Sequence, residues 1–139
     1  MPFAPETPAS GIGATGFVDE CWYRRHVRVD GPGTVVQFGA VDRIATVHVN
    51  GAPAAHHEGG YAPFSVPLPE GDVEVLVHVV DDHADLEAPR GKQDWLEEPH
   101  AIWYPRTTGI WRTVWTERRP DERVDDVVVR GDPRTCTLS

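Results

Sequence analysis

The sequence contains no apolar run approaching the roughly eighteen residues that a membrane-crossing helix requires, so no stretch reads as a transmembrane span. Its opening, MPFAPETPASGIG, has neither a basic start nor an apolar core and does not read as a signal peptide. Cysteine is scarce. Cys21 and Cys136 make no disulfide framework, and no CxxC or comparable metal spacing occurs. Reduced thiols in a cytoplasmic protein are the expectation, with a single bridge between the two left open. No block of five like charges is present, and the formal net charge is -9. That balance excludes a clustered basic surface of the kind phosphate binding needs, so neither nucleic acid nor membrane is expected as a partner. Arg24, Arg25 and Arg28 do cluster, but Asp19, Glu20 and Asp30 surround them, as on a solvated strand face.

The motifs of several enzyme classes are also missing. There is no Gly-x-Ser-x-Gly elbow, no phosphate-binding glycine loop and no HExxH. SGIGATG (10–16) follows no strand and opens no helix, as a dinucleotide site would require. Glu97 and Glu98 are neighbours in a loop. The paired carboxyls of a glycosidase must instead project from rigid elements at roughly 5 Å or wider. His56 and His57 are adjacent in an extended stretch and point to opposite faces, which is poor geometry for one shared ion. The run Asp81-Asp82-His83 could hold a cation only with a remote partner, which a sequence does not reveal. No metal site, cofactor or catalytic residue is therefore assigned.

What is present is a β pattern. Thirteen prolines and thirteen glycines punctuate a valine-rich chain with one methionine, and no stretch sustains a helical period. WYRRHVRV (22–29) alternates Tyr23, Val27 and Val29 against Arg24, His26 and Arg28. TVVQFG (34–39) follows after the turn DGPG. RIATVHVN (43–50) places Ala45, Val47 and Val49 on one face and ends at the turn dipeptide Asn50-Gly51. VEVLVHVV (73–80) alternates Val73, Val75, Val77 and Val79 with more polar neighbours. IWRTVWTE (110–117) and VDDVVVR (124–130) read as two further strands. Short strands separated by turn signals predict one all-β sandwich domain.

One connection breaks this rhythm. From Asp81 to Gly109 there is no convincing strand, whereas ordinary connections run about four to six residues. The segment also carries Asp81, Asp82, His83, Arg90, Lys92, Trp95, Glu97, Glu98, His100, Trp103 and Arg106. A long loop of this composition on a β-sandwich is functional or an interface. It runs into WYPRTTGIWRTVW (103–115), which holds three of the five tryptophans. The 110–117 strand is apolar on both faces, Trp111 and Trp115 on one and Ile110 and Val114 on the other. It is therefore expected to be covered on both, by loops or by another domain, with packing favoured over an exposed sugar-stacking platform.

Six stretches in order, MPFAPETPASGIG, WYRR, FGAVDRIATVHVNG, GGYAPFSVPL, PRGKQ and WYPRTTGIWRTVW, resemble the pattern of the family 2 glycoside hydrolases. That family includes β-galactosidases, β-glucuronidases and β-mannosidases. The match extends from Met1 to about Glu117. It implies that residues 1–119 form the N-terminal sugar-binding domain of the family, a galactose-binding-like jelly-roll β-sandwich. It implies that 120–139 are a linker and a first strand of a truncated immunoglobulin-like domain.

The resemblance also has departures. Family members carry a segment before the PFAPE position with an early strand, so the sandwich is expected to lack an N-terminal strand here. The catalytic barrel, which bears both catalytic glutamates in the family, has no counterpart in these 139 residues. Retaining hydrolysis needs those two carboxyl groups, so the chain alone is expected to be inactive. Trp103 stands where some members place a sugar-contacting Asp. The implied role is non-catalytic, binding carbohydrate (a β-glycoside) and edging the pocket of a β-glycosidase through the 81–109 loop. Trp103, Tyr104, Arg106 and Trp95 are the pocket candidates, and a family 2 catalytic barrel and immunoglobulin-like domain are the implied partners. A free-standing carbohydrate-binding module and an assembly domain for a separately encoded barrel are the alternatives.

Overall fold

The computed structural model describes residues 3–125, 127–132, 134, 135, 137 and 138. Met1 and Pro2 of the opening motif, Asp126 of the 124–130 stretch, and Cys136 with its pairing lie outside the described residues. Among the described residues Cys21 is a free thiol.

A 3-10 turn at Pro8–Ser10 precedes the first strand, and the regular structure after it is all strand. β1 (Glu20–Val29), β7 (Gly71–Val80), β4 (Ile44–Val49) and β5 (Ala52–Glu58) form an antiparallel sheet in that spatial order. β6 (Phe64–Pro67), β2 (Thr34–Phe38) and β9 (Val114–Arg118) form a second, also antiparallel. β3 (Val41–Asp42) pairs with β8 (Gly109–Ile110). A short hairpin of β10 (Gly131–Asp132) and β11 (Thr137–Leu138) follows.

The period-two patterns decide which side chains meet. Val73, Val75, Val77 and Val79 of β7 are all buried, opposite Ala45 and Val47 of β4. Facing them from the second sheet are Val36, Phe38 and Val66, and Val41 and Ile110 close the cluster. Each such valine contributes about 1.5–3 kcal/mol relative to an exposed one, before chain entropy is counted. The all-β sandwich expected from the sequence is the observed architecture. The Asn50-Gly51 turn is also as read: both residues have positive φ, at 50° and 80°. That matches a two-residue hairpin joining β4 to β5.

Two readings need correction. The single strand at 110–117 is two strands, β8 and β9, separated by Trp111–Thr113. Ile110 pairs with Val41 while Val114 pairs with Phe38, so the chain changes partner strand between them. Within the described residues one face of this segment is covered and the other is partly open. Ile110 and Val114 pack on the core, but Trp115 remains 42% exposed beside Gln37 and Glu117. The described part of 124–130 is no strand either, and Val124, Val127, Val128 and Val129 are exposed. β-branched residues favour strands only where a neighbour completes the ladder, and no described residue pairs with these. Conversely β3, β5 and β6 carry no clean alternation and escaped the sequence reading.

Candidate functional site

The connection from Asp81 to Thr108, between β7 and β8, has no strand of its own but is tied down at many points. Its two ends are clamped together. Arg106 Nη2 lies 2.7 Å from the Asp81 carboxylate and also donates to the Asp81 carbonyl at 2.9 Å. Thr108 is fully buried, and its N–H donates to Glu6 Oε2 at 3.2 Å. In the middle, Gln93 bridges two elements. Its Nε2 donates to Asp42 Oδ2 at 3.0 Å and its Oε1 accepts from the Thr107 N–H at 2.9 Å. Asp94, fully buried, accepts from the N–H groups of Leu96 and His100 and from His100 Nδ1, at 3.0, 2.7 and 2.7 Å. Backbone bonds from Tyr104 N to Lys92 O and from Asp94 N to Tyr104 O fold the loop back on itself.

Asp42 and Asp81 invite a catalytic reading, because both carboxyls are held above the ordinary range. In each the first cause is burial. The neighbouring Asp81 charge adds to it for Asp42, whereas Arg106 opposes it for Asp81. Paired carboxyls with raised values are a familiar sign of acid–base chemistry. Here, however, they are 8% and 6% exposed, and Gln93, Arg106 and Thr108 occupy them. In this arrangement they anchor the loop. Asp94 behaves differently. Burial pushes its carboxyl up, but hydrogen bonds from Leu96 and His100 outweigh that and leave it below the usual value.

The six stretches singled out in the sequence converge on this support. Glu6 comes from the first and Tyr23, whose hydroxyl accepts from the Ile110 N–H at 3.2 Å, from the second. Asp42 comes from the third, and the buried Gly60 beside its carboxylate from the fourth. Gln93 belongs to the fifth, and Arg106, Thr108 and Gly109 to the sixth. Gly109 has φ +76°, and a Cβ there would overlap the Tyr23 hydroxyl, so the TGI glycine is required twice over. Sequence reading passed over Glu6, Tyr23, Asp42, Gln93 and Asp94. The available signal was an acidic residue, Asp42, directly after the core valine Val41.

The candidate residues fall into two groups. Trp95 meets Trp103 and His100 edge-on, with ring centroids at 5.3 and 5.2 Å, and stays 49% exposed. Tyr104 is exposed beside the bridge to Gln93. Arg106 instead lies beneath the loop on Asp81, with its side chain 8% exposed. Close to the loop, Tyr61 is exposed, packs edge-on against Trp111 and brings its hydroxyl near Gly91. Trp111 donates to the Gly60 carbonyl at 2.8 Å, and the Arg112 guanidinium lies over its ring. Glu97 lies against Gly16. His56 and His57 do diverge, the first to Thr46 and the second onto the Phe64 ring.

Asp82 and His83 come together with Asp19, their ligand atoms within 4.8 Å of one another. His83 Nδ1 is already engaged by Asp19 at 2.8 Å, and its ring stacks on Phe17. Two shallow concavities, one at Pro32 and 118–121 and one at 28–31 with 116–118, include none of the loop residues.

No protein-family profile matches the chain. Over 114 residues it is 34% identical to the β-galactosidase of Thermoanaerobacter pseudethanolicus, covering 76% of this chain and 14% of that protein. It is 28% identical over 103 residues to the β-glucuronidase of Formosa agariphila, covering 68% of this chain and 10% of that one. The chain thus spans only a small part of the relatives it matches. Among solved structures, the β-glucuronidase from Ruminococcus gnavus in complex with N1-substituted uronic isofagomine superposes with TM-score 0.61. It is 22% identical, over 84% of this chain and 23% of that one. The GH2 β-galacturonidase from Eisenbergiella tayi bound to galacturonate superposes at 0.56, at 23% identity, over 87% of this chain and 20% of that one. At such identities these likenesses carry the fold alone.

Proposed function

This chain is a family 2 glycoside hydrolase-like β-sandwich domain, and from that premise we propose that it is a non-catalytic, pocket-edging module of a β-glycosidase. The observation that carries the proposal is the 81–108 loop. It is long and irregular, yet the buried Asp81–Arg106 pair at its ends and Gln93 and the buried Asp94 in its middle hold it in one shape. That investment makes sense for a loop that must present Trp95, Trp103 and Tyr104 in fixed positions. Aromatic faces supply apolar contact to the C–H side of a sugar ring and set its orientation. They do not cleave a bond.

Retaining or inverting hydrolysis needs two reachable carboxyl groups flanking the glycosidic oxygen. Asp42 and Asp81 are sealed under the loop, so the reacting carboxyls would come from a barrel domain packed against it. Arg106 acts in this reading from below, holding the loop ends together. Residues 120–139 serve as the linker toward an immunoglobulin-like domain. There the exposed Val124, Val127, Val128 and Val129 would find cover.

The test has two arms. The purified 139-residue chain is assayed with nitrophenyl β-galactoside and β-glucuronide, and no turnover is expected. The chain is then mixed with a polypeptide carrying a family 2 barrel, and gain of activity is scored. In the assembled enzyme, Trp103→Ala and Tyr104→Ala should raise KM far more than they lower kcat. Turnover by the chain alone, or loop variants without effect in the assembly, would refute the proposal.

A further inference from the structure

Outside the loop, one side chain has no part in the fold described so far. Trp22 points outward from β1 and is 54% exposed, the one large hydrophobic residue so exposed on the β1-β7-β4-β5 sheet among the described residues. An isolated exposed hydrophobic residue is common and by itself means nothing. This one is held in place from three sides. Its indole lies nearly parallel on the His78 ring, with centroids 4.1 Å apart and an interplanar angle of 12°. Its Nε1–H donates to Glu20 Oε1 at 3.3 Å, and His78 Nε2 meets the same oxygen at 2.7 Å. His48, two strands away, extends the layer, its centroid 6.5 Å from the indole.

The register explains the arrangement. Trp22, His78, Thr46 and His56 stand in one row across β1, β7, β4 and β5, so their side chains share the outer face. The charges next to this row are already matched. Arg24 and His26 both pair with Glu74, and Arg28 pairs with Asp72. What remains is one flat, oriented indole surface, backed by imidazole and edged by a carboxylate, with charged groups around it.

We propose that Trp22 is the platform of a second saccharide-binding site, taking the C–H face of a pyranose ring. The shape fits such a ligand. A pyranose offers one apolar face about the size of an indole and a rim of hydroxyls. The Glu20 carboxylate, at the edge of the indole, lies where a hydroxyl of that rim can be hydrogen-bonded. A protein partner fits less well, because the centre of a protein interface is depleted in charge and needs a far larger apolar area. The platform is prepaid in conformational freedom, since ring stacking and the Glu20 bond already hold the indole. This site is separate from the loop and does not rest on the pocket-edging reading.

The experiment is a titration of the 15N-labelled chain with methyl β-D-galactopyranoside and with a β-linked galacto-oligosaccharide, following the indole N–H resonances. The Trp22 resonance should move in a saturable way. Trp22→Ala, followed through the backbone amides of β1 and β7, should weaken binding at this site about tenfold or more. Glu20→Ala, which keeps the ring but releases its tether, should weaken it less and broaden the indole signal. Trp103→Ala should leave the Trp22 titration unchanged. Shifts confined to Trp95 and Trp103 would overturn this site while sparing the loop reading, and the converse would do the opposite. A Trp22 signal that stays fixed up to the solubility limit of the sugars overturns the proposal. So does one that moves only with protein concentration, since a second copy would then be the occupant.

Discussion

The Tyr23 hydroxyl accepts a hydrogen bond from the Ile110 N–H at 3.2 Å while filling the space a Cβ on Gly109 would need. These positions lie 87 residues apart in sequence for the bonded pair, and they join the first strand to the end of the long loop. Two substitutions separate the components. Gly109→Ala combines a left-handed φ with steric overlap and should cost about 2 kcal/mol or more. Tyr23→Phe leaves a buried N–H without its acceptor and should cost about 1–3 kcal/mol. Urea unfolding of both variants checks the order, and an alanine at 109 that leaves the midpoint unchanged contradicts the packing.

The clamp between Asp81 and Arg106 is buried on both sides, so its loss is expensive. Arg106→Ala should destabilise by about 3–5 kcal/mol, since it strands a carboxylate away from water. The Asp81 carboxyl already titrates above its ordinary value because burial outweighs Arg106. A native state that binds its proton more readily than the unfolded chain is stabilised toward acid and loses that stability as pH rises through the native value. Without Arg106 the shift grows. The variant should therefore regain part of its lost stability as the pH is lowered toward 5, in unfolding curves taken across that range.

Asp94 carries the opposite sign. Despite burial, its three hydrogen bonds hold the carboxyl below 3.8, so it stabilises the fold above that value and ceases to as pH falls through the native one. Asp94→Asn should lower stability at neutral pH and flatten the acid limb of the stability profile. Parallel profiles for the two proteins below pH 4 would show that the hydrogen bonds to His100 and Leu96 do not depend on the charge.

The two faces of the β6-β2-β9 sheet give a direct contrast. Phe38 is 1% exposed against Phe64, whereas Trp115 is 42% exposed. Phe38→Ala should cost about 3–5 kcal/mol. Trp115→Ala, which removes an exposed indole hydrogen-bonded to Glu117, should stay within about 0.5 kcal/mol. Thermal melts distinguish these, and comparable losses would mean that Trp115 is buried in solution.

Much of the sandwich was legible because period two is a local property. The valines of 73–80 or the Ala45-Val47-Val49 face need no distant information to declare which side is apolar. β5 was not legible, since APAAHHE lacks alternation and is a strand only because β4 offers it a ladder through the Asn50-Gly51 turn. The same dependence misled the reading at 124–130, where local propensity found no partner among the described residues. The loop could be flagged from its length and composition, and Trp95, Trp103 and Tyr104 from their type.

Its support could not be flagged. Asp42 meets Gln93 across 51 positions and Glu6 meets Thr108 across 102, and nothing in either neighbourhood announces a hydrogen bond to the other. The sequence by itself determined the β class, the core faces, the hairpin at Asn50-Gly51 and the ordered stretches that carry the family likeness, all matters of spacing along the chain. Only the tertiary structure decided that those stretches meet around one buried polar cluster, that Arg106 lies beneath the loop, and that Trp22 rests on His78. Burial and register are properties of what strands bring together, and β pairing brings together residues that sequence keeps far apart.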